Sequence, residues 1–223
     1  MWERNWLINN LILQVIIVSL VAYALGSISS AIILCKLIYK KDIRELGSGN
    51  PGANNVQRVF GWKLGLTVFI FDLFKGWAAV KLIAFTSIPE GSELYSIIQI
   101  LLILCVFLGH VFPVFFEFRG GKGVSTLAGA MVAIHPYAAL LSFTVFLIIL
   151  MITRYTSLSV IITAISYPMF MNFLFGNLFD DDMTVTIRIF SILVALLLPM
   201  THLSNIKRLL NGKEEKFRLK KSA

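Results

Sequence analysis

Residues 47–58 read GSGNPGANNVQR, a polar, glycine-rich dozen set between long runs of hydrocarbon. Its glycines, its proline and the asparagines Asn50, Asn54 and Asn55 do not suit the interior of a membrane helix. They suit a loop. Backbone N–H groups freed from any ladder can converge on an anion, and Arg58 closes the stretch with a planar donor fork shaped for phosphate. The same dozen reads equally as a loop that needs only turns, since Asn-Pro-Gly and Gly-Asn are ordinary turn sequences. Two later stretches repeat the theme, RGGKG at 119–123 and HLSNIKR at 202–208.

The rest of the chain is built for lipid. Its 223 residues are 57% hydrophobic and its mean hydropathy is +0.82, above the apolar share of soluble domains. Apolar runs near or above 18 residues recur along its length. The expected fold is therefore all-α, a single polytopic membrane domain over 1–223 with a basic tail from about 204. The first run is too long for a signal-peptide core and no small-residue cleavage site follows, so an uncleaved N-terminus is expected. Spans are expected at 7–39, 64–85, 94–116, 124–134, 136–153, 158–179 and 183–203. The fourth is only 11 residues, roughly 16 Å of helix against a hydrocarbon core of about 30 Å. Charge parity argues that it crosses all the same. With seven crossings Arg58, Lys122, Arg154 and the basic tail share one side, while Glu90, Glu93 and 180–182 share the other. That sets the N-terminus outside and the C-terminus in the cytoplasm. It also requires the RGGKG loop to dip into the bilayer and line a polar pocket. The net charge of +8 reads as topology rather than as a nucleic-acid surface, and the tail is expected to lie along an anionic leaflet. Cys35 and Cys105 sit in apolar runs without a CxxC pattern, which leaves them as inert buried thiols.

Several residues bear chemistry. RGGKGVST lacks the spacing and the preceding strand of a nucleotide P-loop. Its glycines, Lys122 and the start of the following helix still make an anion cradle, which fits better than two topology anchors would. Asp72 and Lys75 stand at i, i+3 inside a span, as a self-neutralising pair or the wall of a polar site. His110 reads as a hydrogen-bonded structural histidine and His135 as an outer interface residue. His202 ends the last span at the depth of both loops, which favours a role in the site. Residues 180–182, three aspartates, have the composition of a metal site, but their expected outer position makes them a solvated loop. No order of Ser, His and Asp supports a covalent serine mechanism.

Four ordered motifs resemble those of the bacterial acyl-phosphate:glycerol-3-phosphate acyltransferases, integral membrane enzymes of phospholipid synthesis. They are DIRELGSGNPGANNVQR at 42–58, GHVFPVFFEFRGGKGVST at 109–126, RYTSLS at 154–159 and HLSNIKRLLNGKE at 202–214. Asn54, Leu203, Val160 and Ser29 depart from the common residues at their positions. The resemblance implies seven transmembrane helices, no metal, cofactor or nucleotide, and a site on the cytoplasmic face of the cell membrane. It implies transfer of an acyl chain from acyl phosphate to the 1-hydroxyl of glycerol 3-phosphate, with an upstream enzyme supplying the acyl phosphate. Ser48, Arg58, Lys122, His202 and Asn205 are then expected to be catalytic. Gly47, Gly49, Asn50, Asn55, Gly120, Gly121, Gly123, Ser157 and Ser159 would bind phosphate, with Asp72, Lys75 and Glu214 in support. The RGGKG loop would serve the glycerol phosphate, and Ser48, Asn55 and Arg58 would shape the other phosphate site. His202 and Asn205 would line the acceptor. A membrane transporter of an organic phosphate is the rival reading, against which stands the lack of a second copy of either loop.

Overall fold

The computed structural model describes residues 2–179 and 183–217, with side chains from Asn9 onward. The acidic run 180–182 and Arg218, Lys220 and Lys221 of the tail lie outside the described residues. The described residues are helical without strands. Large apolar side chains cover the outside, among them Ile16, Phe74, Leu140 and Ile152, as expected where lipid is the solvent.

The first expected span is two helices. α1 (Trp2–Ser27) stops and α2 (Ser30–Tyr39) restarts, with Ser29 Oγ accepting from Ile32 N at 3.5 Å as an N-cap. The break frees the carbonyls of Gly26 and Ile28, and Lys75 Nζ donates to both, at 3.2 and 2.9 Å. Lys75 also pairs with Asp72 at 3.0 Å, and Asp72 accepts the Ser30 hydroxyl at 2.9 Å. The intramembrane pair thus satisfies the backbone that the break exposes.

After α3 (Ala53–Phe60) come α4 (Trp62–Lys81), α5 (Glu93–Val111) and the short α6 (Val124–Ile134). Two crossings depend on glycine pairs. A Cβ on Gly76 would strike the Thr126 carbonyl and one on Gly129 the Leu73 carbonyl, which locks α4 onto α6. Gly26 and Gly109 face Val106 and Tyr23 in the same way and bring α1 onto α5. His135 holds the next turn together. It is buried in the turn between α6 and α7 (Pro136–Thr153) and caps α7, accepting from Ala138 N at 3.0 Å.

α8 (Thr156–Met169) widens into π-helix at Phe170–Leu178, just after Pro168 removes a backbone donor. α9 (Val185–Thr201) leads into α10 (Leu203–Leu210), bent from it by 63°. By length and composition four stretches of the described residues suit a membrane span: Asn9–Tyr39, Glu93–Phe116, Pro136–Thr153 and Thr156–Leu178. The bent pair α9 and α10 adds a fifth. α4 has 20 residues but carries Lys63, Asp72, Lys75 and Lys81, and α6 has only 11.

Candidate active site

The first loop is built on Asn55. Its amide nitrogen donates to the carbonyls of Leu46 at 2.9 Å and Ile43 at 3.3 Å, while its oxygen accepts from Ser48 N at 2.9 Å. Gly47, at φ +59°, passes so close that a Cβ would strike that oxygen. Asn55, expected to bind phosphate, is thus used in bracing the loop, and the Gly49 amide is likewise occupied by Leu46 O at 3.0 Å. The Asn50 side chain and the Ser48 hydroxyl make no hydrogen bond to the described residues. Arg44 docks the loop onto the second motif through Phe116 O at 3.1 Å.

RGGKG is folded back on the end of α5. Gly120 N donates to Val111 O at 3.0 Å and Gly121 N to His110 O at 3.1 Å, so neither amide is open to an anion as expected from the sequence. Their value is closeness. A Cβ on Gly121 would meet the His110 ring and the Pro51 carbonyl, where the first two loops touch. Gly123, at φ +75°, then opens α6. The amides from Lys122 to Thr126 take no acceptor among the described residues, and they present the positive end of that helix. Beneath them Thr126 Oγ1 bonds His110 Nδ1 at 3.0 Å, with Asp72 Oδ1 4.0 Å from the same nitrogen. His110 is structural, as the sequence suggests.

The third piece closes the site. His202 Nδ1 lies 3.0 Å from Leu198 O; a carbonyl only accepts, so this nitrogen carries the proton. Nε2 makes no hydrogen bond to the described residues. Lys122 Nζ donates to Asn205 Oδ1, and Asn205 Nδ2 donates to Glu214 Oε1 at 2.7 Å. The same carboxylate accepts the Ser157 hydroxyl at 2.8 Å and Arg208 Nε at 2.7 Å. The next residue, Glu215, pairs with Arg58 Nε at 3.0 Å. Arg58 and Lys122 thus flank one acidic dipeptide, and all three polar stretches meet.

Burial, with Arg208 adding to it and Glu214 partly opposing, holds the Lys122 ammonium below the ordinary lysine range. Burial alone would raise Glu214, but hydrogen bonds from Asn205, Arg208 and Ser157 outweigh it and keep that carboxyl below its usual range. Lys122, Arg58, Ser157 and Asn205 bring α6, α3, α8 and α10 to this face, and the last two residues stand in the first turns of their helices. Cations and helix dipoles together make a place for phosphate.

Two expected contributors sit differently. Ser159 donates to Tyr155 O at 2.9 Å within α8, so its hydroxyl serves its own helix. The tail does not simply lie on a leaflet from residue 204: α10 supplies Asn205 and Arg208, and after Gly212 the chain turns back to place Phe217 N on Arg154 O at 2.6 Å. Arg208, which the sequence offers as the end of the third polar stretch and as one of the tail's basic charges, is here a partner of Glu214. Its spacing of three from Asn205, which puts both on one helix face, was the available signal. Among the described residues no group of three or more His, Cys, Asp or Glu side chains could hold a metal ion.

The family model for glycerol-3-phosphate acyltransferase matches residues 16–212. A glycerol-3-phosphate acyltransferase of Burkholderia cenocepacia is 37% identical over 211 residues, 95% of this chain and 94% of its own. That of Chlorobium luteolum is 37% identical over 228 aligned positions, covering 91% and 96%. Among solved structures, the chain is similar to PlsY, an integral membrane glycerol 3-phosphate acyltransferase, in its glycerol 3-phosphate form, with TM-score 0.80, 37% identity and coverage of 92% and 96%. The lysophosphatidic acid form of PlsY gives TM-score 0.77 at 36% identity over the same shares. The four motifs, the helical architecture and these matches across nearly the whole length agree: the chain belongs to the glycerol-3-phosphate acyltransferase family.

Proposed function

We propose that this chain transfers an acyl group from acyl phosphate to the 1-hydroxyl of glycerol 3-phosphate, giving lysophosphatidate and inorganic phosphate. The observation that carries the reading is the convergence of Arg58 and Lys122, from stretches 64 residues apart in the chain, on one dipole-lined face. Two substrates each bring a phosphate, and the face offers two cations. Lys122, next to Asn205 and His202, holds the glycerol phosphate. Arg58, with Ser48 and Asn50 nearby in sequence, holds the donor's phosphate. Acyl phosphate is a mixed anhydride with a good leaving group, so the hydroxyl attacks the carbonyl directly and phosphate departs with no acyl-enzyme. Positioning and charge neutralisation supply the rate. The hydroxyl proton has two acceptors in this arrangement, His202 Nε2 and the departing phosphate. His202→Gln separates them: loss of the acid limb of the kcat/KM profile assigns the proton to the ring, and its persistence to the phosphate.

In this reading the chain is a single domain of seven crossings in a bacterial cell membrane, with the N-terminus outside and the site cytoplasmic. Positive charge on the site's face supports that orientation. An upstream enzyme delivers acyl phosphate. Sealed proteoliposomes given labelled glycerol 3-phosphate distinguish transfer from transport. With acyl phosphate present, label entering lysophosphatidate supports the enzyme. Unmodified label accumulating in the lumen, with no lipid product, supports the transporter instead.

A further inference from the structure

Outside the four motifs, Glu215 is the residue whose placement stands out. Its carboxylate meets Arg58 at 3.0 Å, although its side chain is 66% exposed and that of Arg58 31%. The contact is not that of a free tail. On one side Gly212, at φ +64°, turns the chain out of α10, and Lys213 N returns to Arg208 O at 2.8 Å. Glu214 is anchored inward by Asn205, Ser157 and Arg208. On the other side Phe217 N reaches Arg154 O at 2.6 Å, and Lys216 Nζ lies 5.7 Å from the centre of the Tyr155 ring. Glu215 is the outward-facing residue of a short strap pinned at both ends, and the only cation it pairs with among the described residues is Arg58.

We infer that Glu215 is an affinity-setting residue: its carboxylate occupies the Arg58 guanidinium as a stand-in anion, and the substrate phosphate that binds Arg58 must displace it. This rests on the acyltransferase reading for the identity of that substrate, but not for the competition itself. A carboxylate and a phosphate use the same donor fork, so they exclude one another there. The strap need not open. Rotation of the Glu215 side chain into solvent is enough, and Glu214 keeps its bonds throughout. Because the pair is half-exposed, its strength is that of a surface ion pair, and the expected effect on substrate affinity is about two- to fivefold. Such a residue keeps Arg58 ordered while empty and makes occupancy responsive to substrate concentration.

The test is Glu215→Gln and Glu215→Ala in the purified full-length chain, beside Glu45→Gln, which removes the same charge from an exposed position in the first loop. Two quantities are read. The first is KM for acyl phosphate and for glycerol 3-phosphate, with kcat. The second is the dissociation constant of inorganic phosphate by calorimetry. The expected result is a two- to fivefold fall in one KM with kcat unchanged, and a matching fall in the phosphate constant, in both Glu215 variants and not in Glu45→Gln. Unchanged constants in the Glu215 variants overturn the inference, as does an equal shift in Glu45→Gln, which would reduce it to net charge. If the wild-type chain shows no acyl transfer, the functional reading fails by itself, and the phosphate constants still decide the competition.

Discussion

Lys122 carries the clearest chemical consequence at the scale of a single residue. Burial and the nearby Arg208 depress its pKa, so its charge is lost at a lower pH than that of a free lysine. Phosphate binding needs the charged form, so kcat/KM falls as pH rises through that depressed value. Lys122→Arg keeps the charge and moves the alkaline limb to higher pH; a pH profile with an unmoved limb counts against the assignment. Lys122→Ala and Arg58→Ala each remove a cation from developing negative charge, and each lowers kcat/KM by about 10²–10³-fold while the protein remains in the membrane. Near wild-type turnover in either sinks its role. Glu214 acts with the opposite sign. Its folded pKa lies below the unfolded value, so its stabilisation is complete above about 4.3 and is lost as pH falls through the folded value. Glu214→Gln accordingly lowers the thermal midpoint at neutral pH and narrows the gap to wild type in acid, as differential scanning in detergent would record.

At the scale of elements, two devices fix where the site stands. The first is the glycine contact between α4 and α6. Gly76→Ala drives a methyl into the Thr126 carbonyl, in the first turn of the helix that follows Lys122. A cost of about 1–3 kcal/mol follows, with a lower Tm and reduced turnover together. A variant with unchanged Tm would show that the helices do not meet there. The second device is the α1–α2 break. Lys75→Met leaves Asp72 buried without its cation and costs about 3–5 kcal/mol, whereas Lys75→Met with Asp72→Leu costs less than the single change. This break was not legible in the sequence. No proline or charge interrupts the apolar run before Lys36, and its small residues, Gly26, Ser27, Ser29 and Ser30, read equally as a close helix contact. What the sequence did show was the i, i+3 spacing of Asp72 and Lys75; their partner lay in another helix, beyond the reach of local pattern.

For the whole molecule, the apolar segments and the polar stretches between them were readable because burial in lipid leaves so few places for Gly, Asn and Arg to gather. Which amides and side chains face the site was not. Asn55, Gly120 and Gly121 are used in holding the loops together, Ser159 bonds its own helix, and Arg208 and Glu215 enter only because the tail folds back. Some of these partners are close in sequence, as Tyr155 is to Ser159, and some are far, as Glu215 is from Arg58, and composition does not say which partner a polar group takes in the folded chain. The seven-crossing arrangement predicts that a reporter fused after Ala223 is active only where cytoplasmic folding activates it; a periplasmic signal would contradict the sidedness. Most direct is the rate at which the purified chain, in EDTA, converts acyl phosphate and glycerol 3-phosphate to lysophosphatidate. The account predicts product formed in step with released phosphate and nearly abolished in Lys122→Ala; no product from the wild type, or product only when a divalent metal is restored, would contradict it.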